Sequence, residues 1–241
     1  MQFIRDQMTA AKFEHGIIGL SGGLDSTVTA YLTAEALSPA NVVGLILPYG
    51  NSDDESQEDA ELVATTLGIR SQVIDISPQI DAYFARFPEA DRIRRANKMA
   101  RERMSILYDH SRVHQALVVG TGNKSERLLG YTTLWGDMAC AFNPLGGLYK
   151  TQVRQLAEEL GVPEVIRNKP PSAGLWPGQT DEGELGFSYA DADQILYWLI
   201  DQHYDIEQVA EKGFPQDLVA QIATRVQQSA FKSRMPRVPE M

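Results

Sequence analysis

Two short apolar runs and the helical segment between them constrain the fold most strongly. "GIIGLS" (16–21) and "NVVGLILP" (41–48) are continuous and β-branched, as buried parallel strands are, and "STVTAYLTAEAL" between them has a helical pattern. "SQVIDI" (71–76) predicts a third strand, which follows a second helix that ends at Gly68. Right-handed crossovers then place helices on both faces of a parallel sheet. We therefore expect an α/β fold with a doubly wound parallel sheet.

The rest of the chain continues this pattern. Residues 89–115 predict a long helix, "ALVVGTG" (116–122) a fourth strand with a second glycine turn, and 150–161 another helix. Segment 168–186 is rich in proline, glycine and acids and lacks an apolar period, so it predicts a long functional loop. A linker is the alternative, but the helical tail beyond it is short for a second domain. We expect a single domain over 1–241 with a helical C-terminal tail.

The turn "SGGLDSTV" (21–28) directly follows the first strand. Its glycines allow the backbone to approach a ligand closely, and free amides at a helix start suit a phosphate. Asp25 then stands where a carboxylate can hold magnesium beside that phosphate. The alternative is an ordinary turn with Asp25 or Ser26 as the N-cap. If the first and fourth strands are neighbours, both glycine turns open on one crevice, with Asp25 and Glu126 around a magnesium–triphosphate site.

Charge and cysteine content exclude several classes of function. The formal net charge of −10 argues against broad binding of nucleic acid, which needs a basic surface. The single cysteine, Cys140, allows no internal disulfide and no CxxC pair. No run is long enough to span a membrane, and the first residues, with Arg5 and Asp6, predict an amphipathic helix rather than a signal peptide. We expect a cytoplasmic protein.

Several separated motifs carry a resemblance to a known family. Ser-Gly-Gly-x-Asp-Ser after the first strand resembles the pyrophosphate loop of the N-type ATP pyrophosphatases, whose fold is adenine nucleotide alpha hydrolase-like. "GTGNKSERLLGYTTLWGDMACAFNPLGGLYKTQV" (120–153) and "KPPSAGLWPGQTDEGELG" (169–186) are similar to NAD synthetase, ammonia-dependent single-domain type. The resemblance implies a ligase of the last step of NAD biosynthesis. With ATP it adenylates the nicotinate carboxylate of nicotinic acid adenine dinucleotide (deamido-NAD), releasing pyrophosphate, and with ammonia it then gives NAD and AMP.

The resemblance also implies the site residues, with Mg²⁺ as cofactor and ATP as co-substrate. Magnesium is assigned to Asp25 and Glu126, and deamido-NAD to Arg101 and Lys232. Asp137, which can position ammonium, and Lys150 are the catalytic candidates. The ATP contacts implied by the motifs are Gly19, Leu20, Ser21, Gly22, Gly23, Leu24, Asp25, Ser26, Thr121, Lys150 and Ser172. The alternatives are a solvated surface lysine for Lys150, a helix-start carboxylate for Glu126, a solvated basic face for Arg101 and a turn-forming aspartate for Asp137.

The loop "TTLWGDMACAF" (132–142) departs from the family pattern. Many ammonia-dependent members carry a lysine and an aspartate where this chain has Leu134 and Ala141, and the loop resembles the synthetase part of glutamine-dependent members. The residues that bind the nicotinate end of the substrate are therefore not identified by the family pattern. Cys140, inside the same motif, is interpreted as a small packed residue rather than a glutaminase nucleophile. Free ammonia, or a separate partner that supplies it, is therefore the expected nitrogen source.

Family members of this type are homodimers, so the resemblance also implies a homodimer. The apolar faces of the N-terminal helix and of the 89–112 helix agree with this expectation. Three other functions remain as alternatives: a tRNA thiolation enzyme, the ATP-pyrophosphatase part of a GMP synthetase, and a non-catalytic ATP sensor.

Overall fold

Four parallel strands form the central sheet of the computed structural model, which describes residues 1–50, 54–176, 178–236 and 238–239. Ile17 lies opposite Val43 on one side and Val118 on the other, and all neighbouring strands run parallel. The strand order is β3-β2-β1-β4, so the first and fourth strands are neighbours, as the predicted crevice requires. The strands are β1 (His15–Gly19), β2 (Val42–Ile46), β3 (Arg70–Val73) and β4 (Ala116–Val118).

Helices cover the sheet and build the C-terminal part of the chain. A short 3₁₀ helix lies at Pro39–Asn41 and another at Ala230–Ser233, and a π-helical turn spans Tyr197–Asp201. The α-helices are α1 (Gln2–Ala11), α2 (Leu24–Leu37), α3 (Asp54–Leu67), α4 (Ser77–Phe84), α5 (Arg92–Val113), α6 (Lys124–Leu129), α7 (Lys150–Glu159), α8 (Glu164–Arg167), α9 (Asp181–Leu185), α10 (Tyr189–Leu196), α11 (Ile206–Ala210) and α12 (Gln216–Ser229). Within the described ranges, no helix is both long and apolar enough to cross a bilayer.

Alternate residues of the strands point to two separate apolar clusters. Ile18 packs with residues of α1, α2, α3 and α7 on one face, and Ile17 packs with residues of α4 and α5 on the other. Both isoleucines are completely buried, and burial of such a side chain stabilises the fold by about 1.5–3 kcal/mol. The expected α/β fold, with helices on both faces of the sheet, is confirmed.

A third apolar cluster lies outside the two faces of the sheet. Leu129 of α6 and Tyr149, which precedes α7, pack there against α9, α10 and α12. Tyr189 and Ile195 of α10 are completely buried in it. The predicted helical tail is thus a packed layer, joined to the sheet through the helices that follow β4.

Several predicted boundaries were wrong. The third strand ends at Val73 rather than at residue 76, and its four residues are exposed because β3 lies at the edge of the sheet. The fourth strand ends at Val118. Helix α4, with a proline in its first turn, was not predicted. The segment 168–186 is not wholly a loop, because α9 begins after Thr180, whose side chain accepts a hydrogen bond from the Gly183 amide.

Candidate functional site

The glycine turn after β1 is held in a shape that its sequence makes possible. Gly22 has a φ of +73°, and a Cβ atom there would lie 2.1 Å from the carbonyl oxygen of Ser56 in α3. Only glycine therefore fits this close approach. The hydroxyls of Ser21 and Ser26 lie 3.0 Å apart and tie the two ends of the turn together.

The N-cap of α2 is Gly23, which offers no side-chain cap. The interpretation of Asp25 or Ser26 as N-cap is therefore wrong, and the Asp25 carboxylate is directed elsewhere. The amides of Leu24, Asp25 and Ser26 make no hydrogen bond to any part of the chain that the structure describes. These first-turn amides, at the positive end of the helix dipole, suit an anion at the carboxyl edge of the sheet.

Lys150 lies between two carboxylates that come from different glycine turns. Its ammonium forms a short ion pair with Asp25 and lies 3.6 Å from Oε1 of Glu126. Asn123 donates a hydrogen bond of 3.0 Å to the other oxygen of Asp25 and forms a capping box with Glu126 at the start of α6. Asp25 and Glu126, which were predicted to converge on one crevice, lie there together, and Lys150 lies between them.

Lys150 and its acidic neighbours are buried, and burial shifts their pKa values. The Lys150 side chain is only 5% exposed, so the interpretation as a solvated surface lysine is wrong. Burial lowers the pKa of Lys150, but the charges of Asp25 and Glu126 outweigh it and the pKa is raised. Burial and the charge of Asp25 raise the pKa of Glu126 to about 8, although Lys150 opposes this shift. This pocket therefore favours the protonated form of Glu126 in spite of the nearby ammonium.

A third acid in this pocket, Asp181, was missed in the sequence because it lies in the segment read as a loop. It is 3% exposed and begins α9. Its Oδ2 accepts a hydrogen bond of 3.2 Å from the Tyr189 hydroxyl, and Oδ1 has no hydrogen-bond partner within the described residues. Burial raises the pKa of Asp181, and the charge of Lys150 opposes the rise. The ammonium of Lys150 also lies 5.6 Å from the centre of the Tyr189 ring.

A buried carboxylate of the C-terminal layer fixes the start of α7. Asp193 accepts hydrogen bonds from the Ser125 hydroxyl and, at 2.8 Å, from the amide of Thr151. Ser125 in turn accepts a bond of 2.9 Å from the amide of Lys150. Asp193 was not recognised in the sequence, because it appeared there only as part of an ordinary amphipathic helix.

The donor set fits a magnesium ion that is shared with phosphates. In the described part of the chain, no three His, Cys, Asp or Glu side chains are arranged as metal ligands. Magnesium, however, is usually bound by one or two carboxylates together with substrate phosphates rather than by a complete protein cage. Asp25 and Glu126 supply two carboxyl groups, and Asp181, with a buried oxygen that has no hydrogen-bond partner among the described residues, lies in the same pocket.

Three of the predicted substrate and ammonium residues meet at the segment 130–142. Arg101 donates from Nε to the carbonyl of Leu134 at 3.2 Å. Lys232 donates to the carbonyls of Gly130 and Thr132, both at 2.8 Å. Asp137 accepts a bond of 2.7 Å from the amide of Thr133, so it shapes the turn as well as lying on this loop.

The remaining residues singled out in the sequence lie outside the contacts of Lys150 described above. Thr121 is half-buried just beyond β4, and the hydroxyl of Ser172 accepts a bond of 3.1 Å from the amide of Gly174 within its own segment. Cys140 packs against Gly120, where a Cβ atom would lie 2.5 Å from its sulfur. Burial raises the pKa of the Cys140 thiol, which disfavours the thiolate that a nucleophile requires.

Comparisons with known proteins agree on one family. The family model described as NAD synthase matches residues 1–236. An NH(3)-dependent NAD(+) synthetase of Trichlorobacter lovleyi is 50% identical over 99% of this chain and 88% of its own. The structure of an NMN synthetase from Francisella tularensis has a TM-score of 0.86 at 33% identity, covering 100% of this chain and 95% of that one. An NH3-dependent NAD synthetase from Campylobacter jejuni, in complex with nitrate, has a TM-score of 0.84 at 34% identity, covering 99% and 95%.

Proposed function

Because the chain belongs to the NAD synthase family, we propose that it makes NAD from deamido-NAD, ATP and ammonia, with release of AMP and pyrophosphate. The observation that carries this proposal is the buried contact of Lys150 with Asp25 and Glu126, beside the amides of the first turn of α2, which have no partner in the described chain. Together with a divalent cation held by the two acids, such a group can bind a triphosphate and compensate its charge. The reaction needs that capacity, because its first step expels pyrophosphate.

In the first step, an oxygen of the nicotinate carboxylate bonds to the α-phosphorus of ATP while the bond from that phosphorus to pyrophosphate breaks. The turn formed by residues 19–26 binds the phosphates, with the amides of α2 directed at negative charge. Lys150 compensates the charge that develops on the leaving pyrophosphate. Thr121 and Ser172 contribute further contacts to ATP.

We assign Mg²⁺ to Asp25 and Glu126. An ion held by these two residues would act as a Lewis acid on the phosphates of ATP. The two residues stand on different turns, at the starts of α2 and α6.

In the second step, the nitrogen of ammonia bonds to the carbonyl carbon of the adenylate, and the bond from that carbon to the oxygen of AMP breaks. Asp137 attracts ammonium and accepts the proton that it loses before attack. Arg101 and Lys232 hold deamido-NAD. Support for this comes from their hydrogen bonds to the segment 130–142, which also carries Asp137.

Free ammonia is the nitrogen source in this proposal. The alternative source is a separate protein that supplies ammonia. We place the enzyme in the cytoplasm, as a homodimer that binds neither nucleic acid nor membrane. Exposed apolar residues support the dimer, since Phe3 on α1 is 47% exposed and Val113 at the end of α5 is 65% exposed. Light scattering at micromolar concentration tests the assembly, and a stable monomer would contradict it.

A second candidate is amidation of the shorter nicotinic acid mononucleotide. It is favoured by the similarity to the NMN synthetase structure, which covers 100% of this chain and 95% of that one.

Product analysis separates the two candidates. The protein is incubated with ATP, Mg²⁺, ammonium and equal concentrations of the two acids, and the products are identified by mass spectrometry. We expect NAD and AMP in equal amounts. NMN as the main product would establish the second candidate, and no AMP with either acid would contradict both.

A further inference from the structure

Lys150 occupies the position between two carboxylates that the proposed function gives to a divalent cation. Its ammonium is in contact with Asp25 and within 3.6 Å of Glu126. When the cation takes these oxygens, the ammonium cannot keep the same place, because two positive charges would share one pair of acids. Lys150 therefore needs another acceptor within its buried pocket.

Asp181 has the properties of that acceptor. It is 3% exposed, and its Oδ1 is buried without a hydrogen-bond partner in the described chain. Its other oxygen accepts from the Tyr189 hydroxyl, which fixes the carboxylate from behind. A buried carboxylate oxygen without a partner costs free energy, which an arriving ammonium recovers.

Electrostatic coupling links the two groups already in this structure. The charge of Asp181 contributes to the raised pKa of Lys150, after those of Asp25 and Glu126, and Lys150 opposes the rise in the pKa of Asp181. The Tyr189 ring contacts both partners, since its hydroxyl binds Asp181 and its face lies 5.6 Å from the ammonium.

We propose that Asp181 is a positioning residue that receives the ammonium of Lys150 when a divalent cation and ATP bind at Asp25 and Glu126. In the free enzyme Lys150 then pairs with Asp25 beside Glu126, and in the loaded enzyme it turns toward Asp181 and the phosphates. This inference rests on the proposed function, because it requires a cation–nucleotide site at these residues.

The test is a double-mutant cycle on metal binding. Affinity for Mn²⁺ is measured by electron paramagnetic resonance, with a non-hydrolysable ATP analogue present, in the full-length protein. In Asp181→Asn the ammonium remains on the two acids, so we expect the affinity to fall about 10- to 100-fold, as for other residues that act behind a metal site. In Lys150→Met no ammonium competes, so adding Asp181→Asn is expected to change the affinity less than about 3-fold.

One further variant completes the test. Asp181→Ser, suited to the first turn of a helix, replaces Asp181→Asn if that variant does not fold. Equal losses with and without Lys150, or no loss at all, would overturn the inference and leave the proposed function standing. A wild-type protein that binds no Mn²⁺ with the analogue would contradict both.

Discussion

Asp193→Asn is expected to loosen the helix start that carries Lys150. Asp193 is 4% exposed, and its two oxygens accept from the Ser125 hydroxyl and from the amide of Thr151. Because Ser125 also accepts from the amide of Lys150, this one carboxylate serves two of the first amides of α7, directly or through Ser125. The substitution keeps the shape of the side chain and removes only its charge and one acceptor.

The expected loss follows from the number of bonds. A hydrogen bond to a charged group contributes about 1.5–3 kcal/mol, so the two bonds of Asp193 contribute about 3–6 kcal/mol. Asparagine keeps one acceptor oxygen and turns a donor amide toward the other partner. About one bond is therefore lost, and the free energy of unfolding falls by roughly 1.5–3 kcal/mol. For a chain of this size, that lowers the Tm by roughly 3–12 °C.

Urea unfolding followed by circular dichroism measures the change, and Asp191→Asn is the matched control. Asp191 lies on the same helix, is exposed and interacts with the nearby Ser188 hydroxyl at 2.7 Å, so its loss should cost less than about 1 kcal/mol. The folded Asp193→Asn variant should also have a lower kcat, because the backbone at Lys150 is held less firmly at the start of α7. A stability within about 0.5 kcal/mol of wild type would refute the reasoning.

Three other outcomes are expected. Asp25→Asn and Glu126→Gln should each lower kcat by several powers of ten without unfolding the protein, as steady-state assays with circular dichroism would check; near-normal turnover in either removes that residue from the site. Without divalent cation, the folded protein holds the Glu126 proton from about pH 4.5 to about pH 8, whereas the unfolded chain releases it. The free energy of unfolding should therefore fall as the pH rises through this window, and Glu126→Gln should remove that slope in urea titrations. The purified protein should use ammonium salts and release no glutamate from glutamine; glutamine-dependent synthesis by this chain alone would return attention to Cys140.

The sheet and its crevice were predictable because their signals are local. Continuous β-branched runs, glycine turns and acids at helix starts lie within a few residues of one another, so β1, β2 and the start of α2 follow from the sequence. Only the neighbouring position of β1 and β4 had to be assumed. The close approach of α3 to Gly22, in contrast, was not predicted, because the glycines were interpreted only as space for a ligand.

The part of the site that α9 and α10 contribute was not predictable in the same way. Asp193 accepts a hydrogen bond from Thr151, and Asp181 feels the charge of Lys150; these partners lie some thirty to forty residues away in the chain. An aspartate near a helix start looks the same in sequence whether it faces solvent, as Asp191 does, or a buried lysine. Only the packing of the third apolar cluster separates these cases.

The third apolar cluster makes the two parts of the chain depend on each other. Helices α9 and α10 bring Asp181, Tyr189 and Asp193 to Lys150, which belongs to the sheet side of the molecule. A fragment that stops before α9 would retain the glycine turns and Lys150 but would expose the lysine pocket to water. We therefore expect neither half of a gene split near residue 175 to turn over substrate alone, whereas the two halves expressed together should complement one another. Catalysis by this fold thus requires both parts of the chain.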